Sequence, residues 1–228
     1  MAAEDRNRLS MISNGGAQAS ETGEGTTVEG APAELQRLFV AIEVPEAVKQ
    51  ELENVQADCR RRLADSSVTW TRPENLHLTL RFFGNIETAR TTELLTCLHR
   101  SCQTFGPLSL SCRRIGFFPP RKRPRVLWAG VEDEANCLPE FVRAINVATS
   151  GFGENEPEKR FSAHVTLGRI KEIARRDAEA VTELVRKLAE AKFGSWRAKE
   201  ILLMRSELRS EGARHSILER VVLPGSQG

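Results

Sequence analysis

Large apolar residues begin to recur in pattern only from residue 38. Leu38-Phe39-Val40-Ala41-Ile42 is an unbroken β-prone run bounded by Pro45, which predicts a strand. Pro45 suits the first turn of a helix. Val48, Leu52, Val55, Cys59 and Leu63 then recur at helical spacing with charges between them, which predicts one apolar face. Residues 68–70 and 76–83 predict strands around the turn Arg72-Pro73-Glu74-Asn75. Leu94, Leu95, Leu98 and Cys102 make a second helical stripe. Residues 108–112 and 126–131 predict strands flanking a basic, proline-rich loop. Leu138, Phe141, Val142 and Ile145 predict a third helix, closed by Gly151. Residues 161–170 predict a strand, and Val181, Leu184, Val185 and Leu188 a fourth helix ending near Gly194. Residues 201–204 and 216–223 predict closing strands around Ser210-Glu211-Gly212. The sum is four helices and seven or eight strands, an α+β pattern.

Residues 1–34 are rich in Gly, Ser, Thr, Glu and Ala. Such a segment buries too little surface to offset its ordering entropy, so a disordered tail is expected before a single domain at 35–228. The tail has no apolar leader core, and no apolar run approaches a bilayer's thickness, so an intracellular chain, cytoplasmic or nuclear, with no membrane contact is expected. Lys and Arg number 33 against 31 Asp and Glu, a net charge of +2. No global basic field therefore demands nucleic acid. The five cysteines are odd in number, form no Cys-x-x-Cys pair and read as reduced fillers. Tyr is absent, so aromatic stacking falls to Phe and Trp.

One internal echo stands out. His77-Leu78-Thr79-Leu80 returns as His164-Val165-Thr166-Leu167, and both copies lie in predicted strands followed by helices. The body therefore reads as two related halves. A strand's period of two sends His and Thr to one face and their apolar neighbours to the other. The polar members then face a cleft. Arg81 continues the first polar face, whereas Arg169 falls on the opposite face of the second if the strand stays regular. Two imidazoles suit general acid–base work near neutral pH, one giving a proton while the other takes one. The hydroxyls of Thr79 and Thr166 can donate to an anionic oxygen. Neither motif holds a carboxylate, and the chain has no His-Glu-x-x-His, no Gly-x-Ser-x-Gly elbow and no phosphate loop of the Walker type. The expectation is catalysis without metal or cofactor.

The paired motifs resemble the two-histidine phosphoesterase superfamily, and longer stretches narrow the resemblance to the LigT-like RNA 2′,3′-cyclic phosphodiesterases. Those stretches are Arg37-Leu38-Phe39-Val40-Ala41-Ile42, residues 72–84, Pro124-Arg125-Val126-Leu127-Trp128-Ala129-Gly130, residues 161–169, and the final hairpin with Arg205-Ser206-Glu207-Leu208 and Gly212-Ala213-Arg214-His215. The resemblance spans about residues 37–223. One departure is His215, where the family's pattern has an aromatic residue, often Tyr. The resemblance implies a bilobal α+β fold, with two antiparallel sheets facing across a central cleft and helices outside. It implies hydrolysis of a terminal 2′,3′-cyclic phosphate to a 2′-phosphate, with RNA ends, oligonucleotides and nucleoside 2′,3′-cyclic phosphates as partners and a monomer as the working unit. It makes His77 the proton donor, His164 the acceptor, and Thr79 and Thr166 the phosphate-binding hydroxyls.

Other residues carry weaker signals. Arg113, Arg114, Arg121, Lys122, Arg123 and Arg125 concentrate positive charge, read either as a solvated loop, an import-like signal or an RNA backbone contact. Arg81 and Arg125 are candidate phosphate contacts, with a structural salt bridge as the equal competing use of Arg81. Phe39 and Trp128 are candidate stacking surfaces, with core packing as the competing use. His99 reads as an exposed helix residue. Two rival functions share the motifs: a non-catalytic module that binds a nucleotide such as AMP, and a nuclease that trims RNA 3′ ends.

Overall fold

The computed structural model describes residues 33–119, 124–153, 161–210 and 212–224. Nearly all of the expected tail, and Arg121, Lys122 and Arg123 of the basic loop, lie outside them.

The opening apolar run forms β1, Leu35–Glu43. It is apolar throughout because both faces are covered. Leu38, Val40 and Ile42 join the main core, while Phe39 and Ala41 join a second cluster with Leu202, Met204 and Phe82. Helix α1, Glu46–Arg62, starts behind Pro45 and buries Val48, Leu52, Val55 and Cys59. Glu46 in its first turn and Arg60, Arg61 and Arg62 in its last complement the helix dipole. There follow β2 (Ser67–Trp70), β3 (His77–Glu87), α2 (Thr91–Cys102), β4 (Leu108–Phe118), β5 (Val126–Asp133) and α3 (Leu138–Ala148). The chain closes with β6 (His164–Glu172), α4 (Arg175–Lys187), β7 (Lys192–Ala198), β8 (Glu200–Arg209) and β9 (Gly212–Val222).

All strand pairs are antiparallel, in the order β7-β4-β5-β6-β3-β1-β8-β9, with β2 on β6. The two expected sheets are the two halves of this ladder. One residue pair, Leu78↔Val165 in β3 and β6, joins them, so the sheet curls there. Apolar stripes of α1, α2, α3 and α4 enter the same core as Leu78 and Val165, both 0% exposed. The opposite face of those two strands is left for the polar members of the motifs. Among the described residues no helix is long and apolar enough to cross a membrane.

Three expectations need correction. Residues around Gly194 do not end a helix: α4 stops at Lys187 and β7 follows. Gly194 has φ +133°, and a Cβ there would lie 2.8 Å from Val48 Cγ2, so glycine lets this strand approach α1. Residues 108–112 continue as strand to Phe118, because Arg114, with φ 41°, takes up a register shift between Arg113 and Ile115. The strand predicted at 161–170 begins only at His164.

Candidate active site

Leu78↔Val165 is antiparallel, so the flanking residues cross. His77 is set toward Thr166, and Thr79 toward His164, on the face opposite the two core side chains. The motifs are thus related by a local two-fold axis. Their imidazoles are also held alike. His77 Nδ1 lies 2.7 Å from the carbonyl of Asn75, and His164 Nδ1 lies 2.7 Å from the carbonyl of Ser162. A carbonyl can only accept, so Nδ1 carries the hydrogen in both rings and Nε2 is the free nitrogen. Each histidine is fixed two residues from its own support, and each presents a lone pair when neutral.

Beyond each Thr the strand breaks phase in the same way. In β3, Ala41 pairs with Thr79 and Val40 with Arg81, leaving Leu80 as the extra residue. In β6, Trp128 pairs with Thr166 and Leu127 with Gly168, leaving Leu167 extra. A bulge moves every later side chain to the other face. Phe82 and Arg169 consequently line the cavity, against the expectation from regular alternation. Arg81 turns the other way and is 5% exposed. Its guanidinium donates to the Asn146 carbonyl (2.8 Å), Thr149 Oγ1 (2.8 Å) and the Phe152 carbonyl (3.2 Å) at the end of α3. Arg81 is a clamp on that helix, and the expected phosphate contact is corrected.

Gln56, 2% exposed on α1, stands behind the second bulge. Its Nε2 donates to the carbonyls of Leu167 (2.7 Å) and Thr71 (2.8 Å). Gln56→Leu is expected to remove this donor from the Thr71 carbonyl and one of two from the Leu167 carbonyl, which also accepts from the Thr71 N–H at 3.0 Å, and to cost about 1–3 kcal/mol of stability. Denaturant unfolding measures this, and an unchanged midpoint would show that the bulge holds without Gln56.

A cavity of about 600 Å³ opens on this face. Its walls include His77, Thr79, Thr166, Phe39, Phe82, His215, Asn75 and the cations Arg37, Arg72 and Arg169. Arg37 lies over Phe82, 4.6 Å from the ring centroid. His164 stands outside this lining, half-buried, with Phe118 edge-on to it at 5.1 Å. The ring of Phe39 lies 4.9 Å from that of His77, and Phe39 is only 2% exposed, so it backs the imidazole. Trp128 packs on Phe118 at 5.1 Å and fills the space above Gly116, where a Cβ would meet the indole at 2.4 Å. Arg125 is engaged with the Lys171 carbonyl at 2.9 Å and does not line the cavity.

Burial lowers the pKa of His77 from 6.5 to about 4, and charge on His215 adds to the effect. His77 is therefore neutral in the empty cleft at physiological pH. Among the described residues no group of three or more His, Cys, Asp or Glu is placed to hold a metal ion. Sequence patterning missed Phe82 and Arg169, because bulges carry no apolar signature. It also missed the placement of Arg37 and His215, because the strand order that brings β1, β8 and β9 beside His77 is a tertiary property. His215 showed itself only as a departure from the expected aromatic.

A family model described as LigT like Phosphoesterase matches residues 42–128 and 138–214. The RNA 2′,3′-cyclic phosphodiesterase of Methanothermobacter thermautotrophicus is 31% identical over 183 residues, covering 80% of this chain and 96% of that protein. The protein of the same name from Aquifex aeolicus is 30% identical over 192 residues, covering 83% and 98%. Among solved structures, TT0787 of Thermus thermophilus superposes with a TM-score of 0.69 at 29% identity, covering 84% of this chain and all of that one. E. coli LigT complexed with 3′-AMP gives 0.65 at 22% identity, covering 83% and 99%, a likeness of fold.

Proposed function

The chain belongs to the LigT-like phosphoesterase family, and on that premise we propose that it is an RNA 2′,3′-cyclic phosphodiesterase that leaves a 2′-phosphate. The observation that carries the proposal is the symmetric pair of imidazoles, each locked through Nδ1 to a backbone carbonyl two residues away and each offering Nε2. In-line displacement at phosphorus needs a base on one side and an acid on the other, which two motifs related across Leu78↔Val165 supply. Water attacks phosphorus and gives its proton to His164 Nε2. The bond from phosphorus to the 3′ oxygen breaks, and His77 Nε2 protonates that oxygen. The 2′ ester remains. Thr79 and Thr166 donate to the non-bridging oxygens as charge builds on them. Proton count balances, since one imidazole gains what the other loses. Both motifs come from one chain, so a monomer suffices.

The donor role requires His77 to be protonated when substrate is bound, although burial holds its pKa at about 4 in the empty cleft. The phosphodiester resolves this. An anion in contact with the ring raises a histidine's pKa by about 1–3 units, so the proton enters with the nucleotide. The cavity, about 600 Å³ with Arg37, Arg72 and Arg169 on its walls, suits an anionic oligonucleotide end.

The test is incubation of the full chain with an oligoribonucleotide ending in a 2′,3′-cyclic phosphate, in EDTA. The expected product carries a 2′-phosphate. A 3′-phosphate, or activity abolished by chelator and restored by a divalent ion, would overturn the mechanism. Shortening of a linear oligonucleotide would identify a nuclease, and binding without turnover a nucleotide-binding module.

A further inference from the structure

His215 lines the cavity beside His77, and the two-histidine scheme leaves its chemistry unused. It lies in β9 opposite Ser206 of β8, and β8 pairs with β1 beside β3. Its ring stands 5.3 Å from that of His77 and meets Phe39 edge-on at 4.9 Å. The spacing is held by Asn75, whose carbonyl accepts from His77 Nδ1 and whose Nδ2 donates to the Ala213 carbonyl at 2.8 Å, two residues before His215. One residue thus ties the imidazole of His77 to the strand that carries His215.

The two nitrogens of His215 are not equivalent. Nδ1 is buried and has no hydrogen-bond partner. A buried N–H without an acceptor costs about 1–3 kcal/mol, and orphaned N–H groups are rarer in protein interiors than under-satisfied acceptors. The hydrogen therefore belongs on Nε2. Burial also disfavours the charged ring and lowers its pKa. His215 then contributes an N–H donor, whereas His77 and His164 donate through Nδ1 to backbone carbonyls and keep Nε2 for the proton transfers.

We propose that His215 is a third substrate-contacting imidazole, whose Nε2–H donates a hydrogen bond to a phosphoryl oxygen of the bound nucleotide. The proposal rests on the nucleotide reading given above. Near His77 Nε2, the site assigned to the departing oxygen, anionic phosphoryl oxygens are the strongest acceptors a nucleotide presents. A Phe at this position would fill the same wall but offer no donor. An imidazole fills it and turns a ring N–H to the phosphate. His215 is held by contacts with Phe39 and His77 and has no proton to move in the step, so its effect falls on binding and on charge stabilisation.

The experiment compares wild type with His215→Phe, which keeps a ring against Phe39, and His215→Gln, which keeps a donor. Calorimetry with a nucleoside 2′-phosphate and with the unphosphorylated nucleoside reads the contact directly. H215F is expected to weaken the 2′-phosphate about 10-fold and the bare nucleoside less than 2-fold, with H215Q close to wild type. With cyclic phosphate as substrate, kcat/KM of H215F should fall about 10–100-fold. H215F binding the 2′-phosphate as wild type does would overturn the proposal, as would equal losses with both ligands. Should H215F fail to fold, H215L removes the donor in the same comparison. Binding is read without turnover. A wild type that binds the 2′-phosphate but does not hydrolyse the cyclic ester would therefore overturn the proposed activity and leave the His215 comparison standing.

Discussion

His77→Ala and His164→Ala are each expected to lower the rate of cyclic phosphate opening by about 10²- to 10⁴-fold, the range for removing a positioned acid or base. The double variant should lose less than the product of the two, since neither proton transfer helps fully without the other. Thr79→Ala and Thr166→Ala remove a hydrogen bond to developing charge and should cost less, about 10- to 10³-fold. Single-turnover rates with a cyclic phosphate dinucleotide separate these cases. Near-wild-type turnover in either histidine variant would sink the acid–base pairing. Both side chains are only partly buried, so the variants should fold, and circular dichroism checks that they do.

The pH dependence follows from the same pair. The reactive state holds one proton between two imidazoles, so rate against pH should be a bell whose limbs belong to the coupled pair. The sign for His77 is fixed by its surroundings. Its pKa in the folded protein, about 4, lies below the ordinary 6.5, so the unfolded chain binds the extra proton first. The stability His77 contributes is complete above about pH 6.5 and is lost as pH falls toward 4. A bound phosphate reverses the shift. Nucleotide binding near pH 6 should take up protons, which titration calorimetry in two buffers of different ionisation enthalpy detects. Binding with no proton uptake would remove His77 as the donor.

The placement of the candidate site residues was legible in the sequence to the extent that it followed strand period. His77 with Thr79 and His164 with Thr166 fell on one face because Leu78, Leu80, Val165 and Leu167 are apolar and demanded the other. Period two then failed one residue later in both copies, for one physical reason. A bulge inserts a residue without changing hydropathy, so Leu80-Arg81-Phe82 and Leu167-Gly168-Arg169 read as regular strand. The four helices were legible through stripes such as Val48, Leu52, Val55 and Cys59. β7 was not, because Lys192–Ala198 buries only Phe193 and Ala198 and carries Gly194 where α1 crowds it. What no local pattern encodes is the joining of the halves by one pair, Leu78↔Val165. That single pairing decides that β9 and β6 look onto the same cavity.

Arg81 offers the sharpest contrast between these two readings, because each predicts a different loss. As a phosphate contact it would be spared in folding and needed in binding. Its observed partners are the carbonyls of Asn146 and Phe152 and the hydroxyl of Thr149, at the carboxyl end of α3. That end carries the negative pole of the helix dipole, so the cation is doubly favoured there. The ring of Phe83 lies 5.0 Å from its guanidinium carbon and covers the charge. Burial disfavours the charged form and lowers the pKa of Arg81 from its usual value, as desolvation of a cation requires. Arg81→Met keeps the apolar stem and strands three acceptors. Hydrogen bonds to a charged group are worth about 1.5–3 kcal/mol each, and removing the buried guanidinium also relieves its desolvation cost, so a net loss of about 2–4 kcal/mol of stability is expected. For a domain of this size that is a fall in Tm of about 5–15 °C. At a temperature where the variant remains folded, KM for the cyclic phosphate should stay within about threefold, since no hydrogen bond to substrate has been removed. Thermal melts paired with steady-state kinetics decide it: an unchanged Tm with a KM raised tenfold or more would return Arg81 to the phosphate site.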